Sequence, residues 1–372
     1  MKKSYHAIGL MSGSSLDGLD VAYGQFDIES SEEVFKINNW KLLACKTFPF
    51  SEFWKSRLRS LPAQSAKVLM DAHAAFGSYM GEMVNRFFSE KKIDKKNIDL
   101  IASHGHTIFH EPSEGFTTQV GDGAALAIAT QCTVINDFRS ADIALGGQGA
   151  PLAPMADKML FPGFDFYLNL GGIANITCNI NGRFIAFDIC GANQILNALA
   201  AELNLPFDEN GAIASTGILD KEFFDQQYKI DFFKENYPKS LSNQWVEKKQ
   251  TTLFSANNNK TANKLFTAVE LTARLISDAI NSVIQKECLV KENYKLWITG
   301  GGAYNHYLIN RIDSYLNQKN IEIVTPEKEI IGFKEALLMA LLGIMRMENT
   351  PNCMASVTGA KRDSIGGAVY IH

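Results

Sequence analysis

Twice along this chain, three apolar runs of strand length are followed by a segment of helical period and then by a short buried run. That order points to an α/β fold built from two copies of one plan. In the first copy the runs are 5–11, 19–26 and 41–48, the last ended by Pro49. Leu69, Ala72, Phe76, Met80, Met83 and Phe87 then share one face of a helix over about 65–88, and 98–103 is a buried strand. In the second copy the runs are 164–170, 174–180 and 183–187, with Asn181-Gly182 as a two-residue hairpin signal. A helix near 194–203 follows. A longer one carries Leu265, Ala268, Val269, Thr272, Ile276, Ala279 and Val283 on one face, and the strand 295–299 closes the copy. Two such halves are expected to face each other across a cleft, a usual place for a ligand. The stretch 206–264 is more polar and reads as an inserted or flexible region.

Composition narrows the function classes. A length of 372 residues suggests two domains. With 46% hydrophobic and 20% charged residues the chain is not globally disordered. Lys plus Arg is 36 against 40 for Asp plus Glu, a net charge of −4, so there is no basic field for nucleic acid or anionic lipid. The partner is expected to be a small molecule. The six cysteines form no C-x-x-C and read as buried thiols of a reducing compartment. The start has two lysines but no long apolar run, and the longest apolar helical stretch, 336–345, is half of a membrane span of roughly 20 residues. A soluble, cytoplasmic protein is expected.

Six motifs carry candidate chemistry. The turn 9–20 is rich in small residues: Gly13 and Gly18 let a backbone approach an anion, and the Ser14 and Ser15 hydroxyls can donate to phosphate oxygens. Asp17 could hold Mg2+ beside them, directly or through water. An ordinary turn satisfied by its own Ser and Asp side chains reads equally well. Gly171-Gly172 occupies the matching place in the second copy. Asp188, at the expected end of a strand, could take a proton from a hydroxyl or water, or cap the helix that follows. Gly300-Gly301-Gly302 leaves room for a flat ring but fails the dinucleotide spacing. Ser103-His104-Gly105-His106 lacks a third ligand at metal spacing, so substrate hydrogen bonding or strand packing is expected of it. Arg139, followed by Gly146-Gly147-Gln148-Gly149-Ala150-Pro151-Leu152, could clamp a carboxylate or form a junction salt bridge. A Walker-type phosphate loop, the protein-kinase signatures and the G-x-S-x-G elbow are absent.

Taken in order, these motifs, with Ser356-Val357-Thr358-Gly359-Ala360 near the C-terminus, resemble the anhydro-N-acetylmuramic acid kinases over nearly the whole chain. The resemblance implies a two-domain actin-like ATPase fold with duplicated RNase H-like βββαβα halves. It places 1–135 with 350–372 in the first domain and 136–349 in the second. It also implies ATP and Mg2+ as cofactors and a homodimer engaged in cell-wall sugar recycling. The reaction implied is hydrolysis of a 1,6-anhydro sugar with phosphorylation of its O6. Asp188 matches the catalytic aspartate. Gly13, Ser14, Ser15, Leu16, Asp17, Gly18, Leu19 and Asp20, with Gly171, Gly172, Gly300, Gly301 and Gly302, match ATP-binding positions, and Asp17 is the expected Mg2+ contact. His104, Arg139 and Glu335 are expected at the sugar and its lactyl group. The chain departs from the family pattern at Ser14, His106, Gly123-Ala124 and Ile189-Cys190-Gly191-Ala192, mostly near the expected sugar site. A kinase for another anhydro sugar and a silent nucleotide-binding regulator are the competing readings.

Overall fold

A computed structural model describes residues 2–13, 15–31, 34–317 and 320–372. They divide into two compact units, Met1–Pro162 with Phe333–His372, and Gly163–Gly332. In the first unit, β1 (Lys2–Ser12), β2 (Gly18–Ser30) and β3 (Phe35–Pro49) form an antiparallel meander. β4 (Leu100–Ser103) then joins β1 in parallel. β5 (His106–Glu111) and β6 (Phe116–Val120) make a separate hairpin, and β7 (Val134–Asn136) joins β4 in parallel. In the second unit, β8 (Phe166–Leu170), β9 (Ile173–Ile180) and β10 (Arg183–Gly191) form the meander. β11 (Tyr294–Thr299) joins β8, and β12 (Ile321–Val324) joins β11, both in parallel.

The sheet orders are therefore β3-β2-β1-β4-β7 and β10-β9-β8-β11-β12, the same arrangement twice. Each unit thus carries the RNase H-like plan that an actin-like ATPase duplicates. β13 (Ala368–Tyr370) pairs antiparallel with β7 and returns the C-terminal segment to the first sheet.

Helical period decides which faces are buried. Ser65 caps the helix Ala66–Lys91 by accepting from the Val68 N–H, and Ala72, Phe76, Met80, Val84 and Phe87 form its buried stripe. They pack in one core with Ile8, Leu10 and Val21 of the sheet. In the second unit the helix Thr261–Lys286 buries Leu265, Ala268, Val269, Ile276, Ile280 and Val283 in a core with Ile176 and Phe187.

Four expectations are corrected. The units divide at 162/163 and 332/333, not at 135/136 and 349/350. The helix Lys328–Met347 lies on the first sheet so closely that a Cβ at Gly9 would sit 1.7 Å from the Ala336 carbonyl oxygen, and one at Gly343 2.7 Å from the Ala102 Cβ. Residues 139–149 are likewise bonded into the first unit. Second, β10 runs past Phe187 to Gly191, with a bulge between Asp188 and Cys190. The next helix, Asn193–Ala201, has Ala192 at its N-cap and no side-chain cap, so Asp188 is not a helix cap. Third, the polar stretch 206–264 is not flexible: it is folded into the second unit through aromatic pairs such as Phe223–Phe254 and Phe187–Tyr237. Fourth, Cys288 is exposed rather than buried. No helix among the described residues is long and apolar enough to cross a membrane.

Candidate functional site

Each unit mounts its own set of the expected residues. In the first, the β1–β2 turn is closed by the Leu16 N–H donating to the Gly13 carbonyl, 3.2 Å. Leu16 holds a left-handed backbone (φ 59°) while its side chain is buried, so the core anchors a turn that a β-branched or bulky residue rarely adopts. A Cβ at Gly13 would meet nothing nearer than the Ser15 hydroxyl, 3.7 Å away, so its backbone is approachable. Gly18 differs: a Cβ there would sit 2.4 Å from the Phe48 carbonyl oxygen, and sheet pairing alone accounts for it. Leu19 is a core residue and Asp17 is exposed. Ser14 lies outside the described residues.

Carboxylates gather beside this turn. Asp20 on β2 accepts a hydrogen bond from the Thr47 hydroxyl, 2.5 Å. Burial raises its pKa, the Thr47 bond lowers it, and the neighbouring Glu335 and Asp17 carboxylates raise it again. Solvent reaches Glu335, yet the protein mass around it pushes its carboxyl above the usual glutamate range, against the pull of Lys334 and Arg139. Lys334 is itself paired with the buried Asp157. Hard carboxylate oxygens suit Mg2+, which commonly takes one or two of them together with phosphate oxygens. Among the described residues no group of three or more His, Cys, Asp or Glu is arranged to hold a metal.

His104 and Arg139 come together as expected, but their roles divide. His104 Nδ1 donates to the Gly105 carbonyl (3.0 Å), which leaves Nε2 to accept from Arg139 Nε (2.9 Å). Both ring nitrogens are used, so His104 supports Arg139 instead of reaching outward. Burial, with the Arg139 charge, pushes its pKa to about 3 and keeps the ring neutral. Arg139 Nη1 donates to the Gly149 carbonyl, 2.5 Å, and Nη2 has no partner among the described residues. Asp142, fully buried, orders the glycine loop. Its carboxylate accepts from the Gly149 N–H and the Thr358 hydroxyl, both 2.8 Å, so the 146–149 and 356–360 motifs meet through it. Nothing in the spacing singled out Asp142.

The second unit combines its two glycine motifs. The Ala192 and Gln194 N–H groups donate to the Gly172 carbonyl, and the Asn193 N–H donates to that of Gly171. Asn193 Nδ2 also donates to the Leu170 carbonyl, 2.9 Å. At Gly300 (φ +82°) a Cβ would sit 2.5 Å from Asn169 Oδ1, and at Gly302 2.7 Å from the Leu170 Cβ. Close packing requires glycine at both positions. Gly171 and Gly172 would meet nothing nearer than 3.4 and 3.8 Å, so their backbone is open. Gly301 lies beside Asn193, the bracing residue that sequence reading left without a role.

Asp188 is half-buried on β10. Its Oδ2 accepts from the Leu241 N–H, 2.7 Å, and its own N–H donates to the Lys239 carbonyl, 3.0 Å. Burial raises its pKa and the Leu241 bond lowers it. A carboxylate with one oxygen tied and a raised pKa has the character of a general base.

Residues 5–372 match the family model described as anhydro-N-acetylmuramic acid kinase. A protein of that name from Sulfurovum sp. (strain NBC37-1) is 32% identical, with 98% of both chains covered. Those from Coxiella burnetii (strain RSA 493 / Nine Mile phase I) and Pseudomonas syringae pv. syringae (strain B728a) are 33% identical, covering 98% of this chain and 96% and 98% of their own.

Proposed function

Because the chain belongs to the anhydro-N-acetylmuramic acid kinase family, we propose that it converts 1,6-anhydro-N-acetylmuramic acid, with water and ATP, to N-acetylmuramic acid 6-phosphate and ADP. It is a kinase, a transferase that uses ATP on a small sugar. The observation that carries the finer reading is Asp188, with one carboxylate oxygen fixed by a main-chain N–H and a pKa raised by burial.

In this reading Asp188 takes a proton from water as the water oxygen bonds to the anomeric carbon. The bond from that carbon to O6 breaks, and the freed O6 bonds to the γ-phosphorus as the bond to ADP breaks. The first unit contributes the approachable turn at Gly13, the Ser15 hydroxyl and the carboxylates of Asp17 and Asp20. Asp17 and Asp20 are the residues that would hold Mg2+, directly or through water, and the ion would neutralise charge on the phosphates. The second unit contributes the open backbone of Gly171-Gly172 for phosphate and the Gly300–Gly302 stretch for adenosine. Arg139 Nη2 is the group that would meet the lactyl carboxylate, with His104 holding the guanidinium and Glu335 nearby for the sugar. A homodimer, a cytoplasmic location and a place in cell-wall sugar recycling belong to the same proposal.

The test is ADP release with paired 1,6-anhydro sugars that carry or lack the lactyl acid. Turnover of the acid-bearing sugar is expected to be strongly preferred, and Arg139→Lys is expected to reduce that preference by about 10- to 100-fold. Equal turnover of both sugars would point to a kinase for another anhydro sugar. No ADP release with any of them would leave a silent nucleotide-binding regulator.

A further inference from the structure

The proposed reaction makes no use of the stretch between the helices Lys221–Tyr228 and Asn243–Val246, yet this stretch holds the proposed base. β10 is the edge strand of its sheet, so among the described residues one side of it has no neighbouring strand. Residues 239–241 lie along that side, with Tyr237 stacked on Phe187 beside them. The Asp188 N–H donates to the Lys239 carbonyl, and the Leu241 N–H donates to Asp188 Oδ2. One bond fixes the backbone of Asp188 and the other fixes its side-chain torsion. With Oδ2 engaged, Oδ1 is the oxygen left to receive a proton.

The segment is fastened in turn by its own side chains. Lys239 Nζ donates to the Phe232 carbonyl (2.9 Å) and the Phe233 carbonyl (3.4 Å), and it sits 4.7 Å from the Phe232 ring centroid. Tyr237 stacks on Phe187, at 5.1 Å between centroids, and donates to Glu287. Behind the segment is a cavity of about 370 Å³ lined by Phe187, Ile189, Leu275, Ala279, Tyr237 and Lys239. Phe232 and Phe233 meet Trp245, and Phe233, Tyr237 and Leu241 pack against the core, so apolar contacts and polar bonds set its position together.

We propose that residues 232–241 are a strap that aims the Asp188 carboxylate, and that Lys239 is a positioning residue that latches the strap. The inference rests on Asp188 being the base. The titratable side chains of the strap are Lys234, Glu235, Tyr237 and Lys239. On β10 Cys190 is a buried thiol pushed up to about 12, hence neutral. From the packed helix Thr261–Lys286 Asp278 lines the cavity, while Glu287, just past its end, accepts from Tyr237.

The experiment is the pH dependence of kcat for ADP release by the full chain with 1,6-anhydro-N-acetylmuramic acid. It compares wild type with Leu241→Pro, Lys239→Met, Lys239→Arg and Asp188→Asn. Leu241→Pro deletes the N–H that stabilises the charged carboxylate. The acid limb is then expected to move to higher pH, and kcat near neutrality to fall about 10- to 100-fold, with KM for ATP little changed. Lys239→Met is expected to move both quantities in the same direction by a smaller amount, and Lys239→Arg, which keeps donors for the two carbonyls, to restore most of the loss. Profiles of Leu241→Pro and Lys239→Met that superimpose on wild type would overturn the strap, as would a fall in kcat with an unmoved acid limb. If Leu241→Pro does not fold, Lys239→Met decides alone. Wild-type activity in Asp188→Asn would overturn the assignment of the base and the strap with it, whereas inactive Asp188→Asn beside unaffected Leu241→Pro and Lys239 variants would sink the strap only.

Discussion

The β1–β2 and β8–β9 hairpins hold the same place in two sheets that share one five-strand order, yet they offer different chemistry. The first has a longer turn, pinned by a buried Leu16 in a left-handed conformation, with Asp17 and Asp20 beside it. The second turns on Gly171-Gly172, whose carbonyls are clamped to the start of the helix Asn193–Ala201. One copy gathers carboxylates, and the other presents open backbone and a single carboxylate, Asp188, held by a main-chain donor. Duplication preserved the scaffold that positions groups and left the groups themselves free to diverge.

The sharpest way to break this division is at Asp188. Asp188→Asn keeps the size of the side chain but removes the base, and kcat is expected to fall about 10³-fold or more in an ADP-release assay. Asp20→Asn in the other hairpin is expected to cost far less, because that carboxylate would act on the nucleotide and its metal ion and not on the water.

The glycines sharpen the same contrast. Gly300→Ala places a methyl 2.5 Å from Asn169 Oδ1 at a positive φ, so a loss of roughly 2–4 kcal/mol is expected in denaturant unfolding. Gly171→Ala has room, and its stability should stay within about 1 kcal/mol of wild type while KM for ATP rises. If the two variants lost equal stability, the distinction between packing glycines and open glycines would fail.

A smaller effect concerns the first unit alone. His104 is held neutral, its pKa pushed from the ordinary 6.5 to about 3. Between those values the unfolded chain binds a proton at this position that the folded chain excludes, so its contribution to stability is complete above pH 6.5 and is lost as pH falls toward 3. His104→Gln should therefore show a shallower drop in Tm between neutral and acid pH than wild type does. An equal or steeper drop would mean that the ring is charged in the folded protein.

Much of this was legible in the residues. Alternation and helical period are local signals, and they located the strands of both meanders and both long buried helices. The glycine pairs and Asp188 stood out because small residues and a carboxylate interrupt apolar runs. What escaped were pairings between distant segments. From Phe333 onward the helix Lys328–Met347 belongs to the first unit, where its backbone meets Gly9, more than 300 residues earlier, and no local pattern announces that. His104 supports Arg139 across 35 positions. The stretch 206–264 reads as polar because its order rests on scattered aromatic contacts and not on a period. Asn193, Asp142 and Lys239 lie in plain view, but their roles exist only once their carbonyl and N–H partners are placed.

Running the reaction in H2(18)O asks most directly whether water is activated toward the sugar. Attack at the anomeric carbon predicts one labelled oxygen in the product sugar, at the anomeric hydroxyl, with an unlabelled phosphoryl group bonded through the original O6. Label found in the phosphoryl group would mean that water attacks phosphorus, and Asp188 would then have no part in opening the anhydro ring.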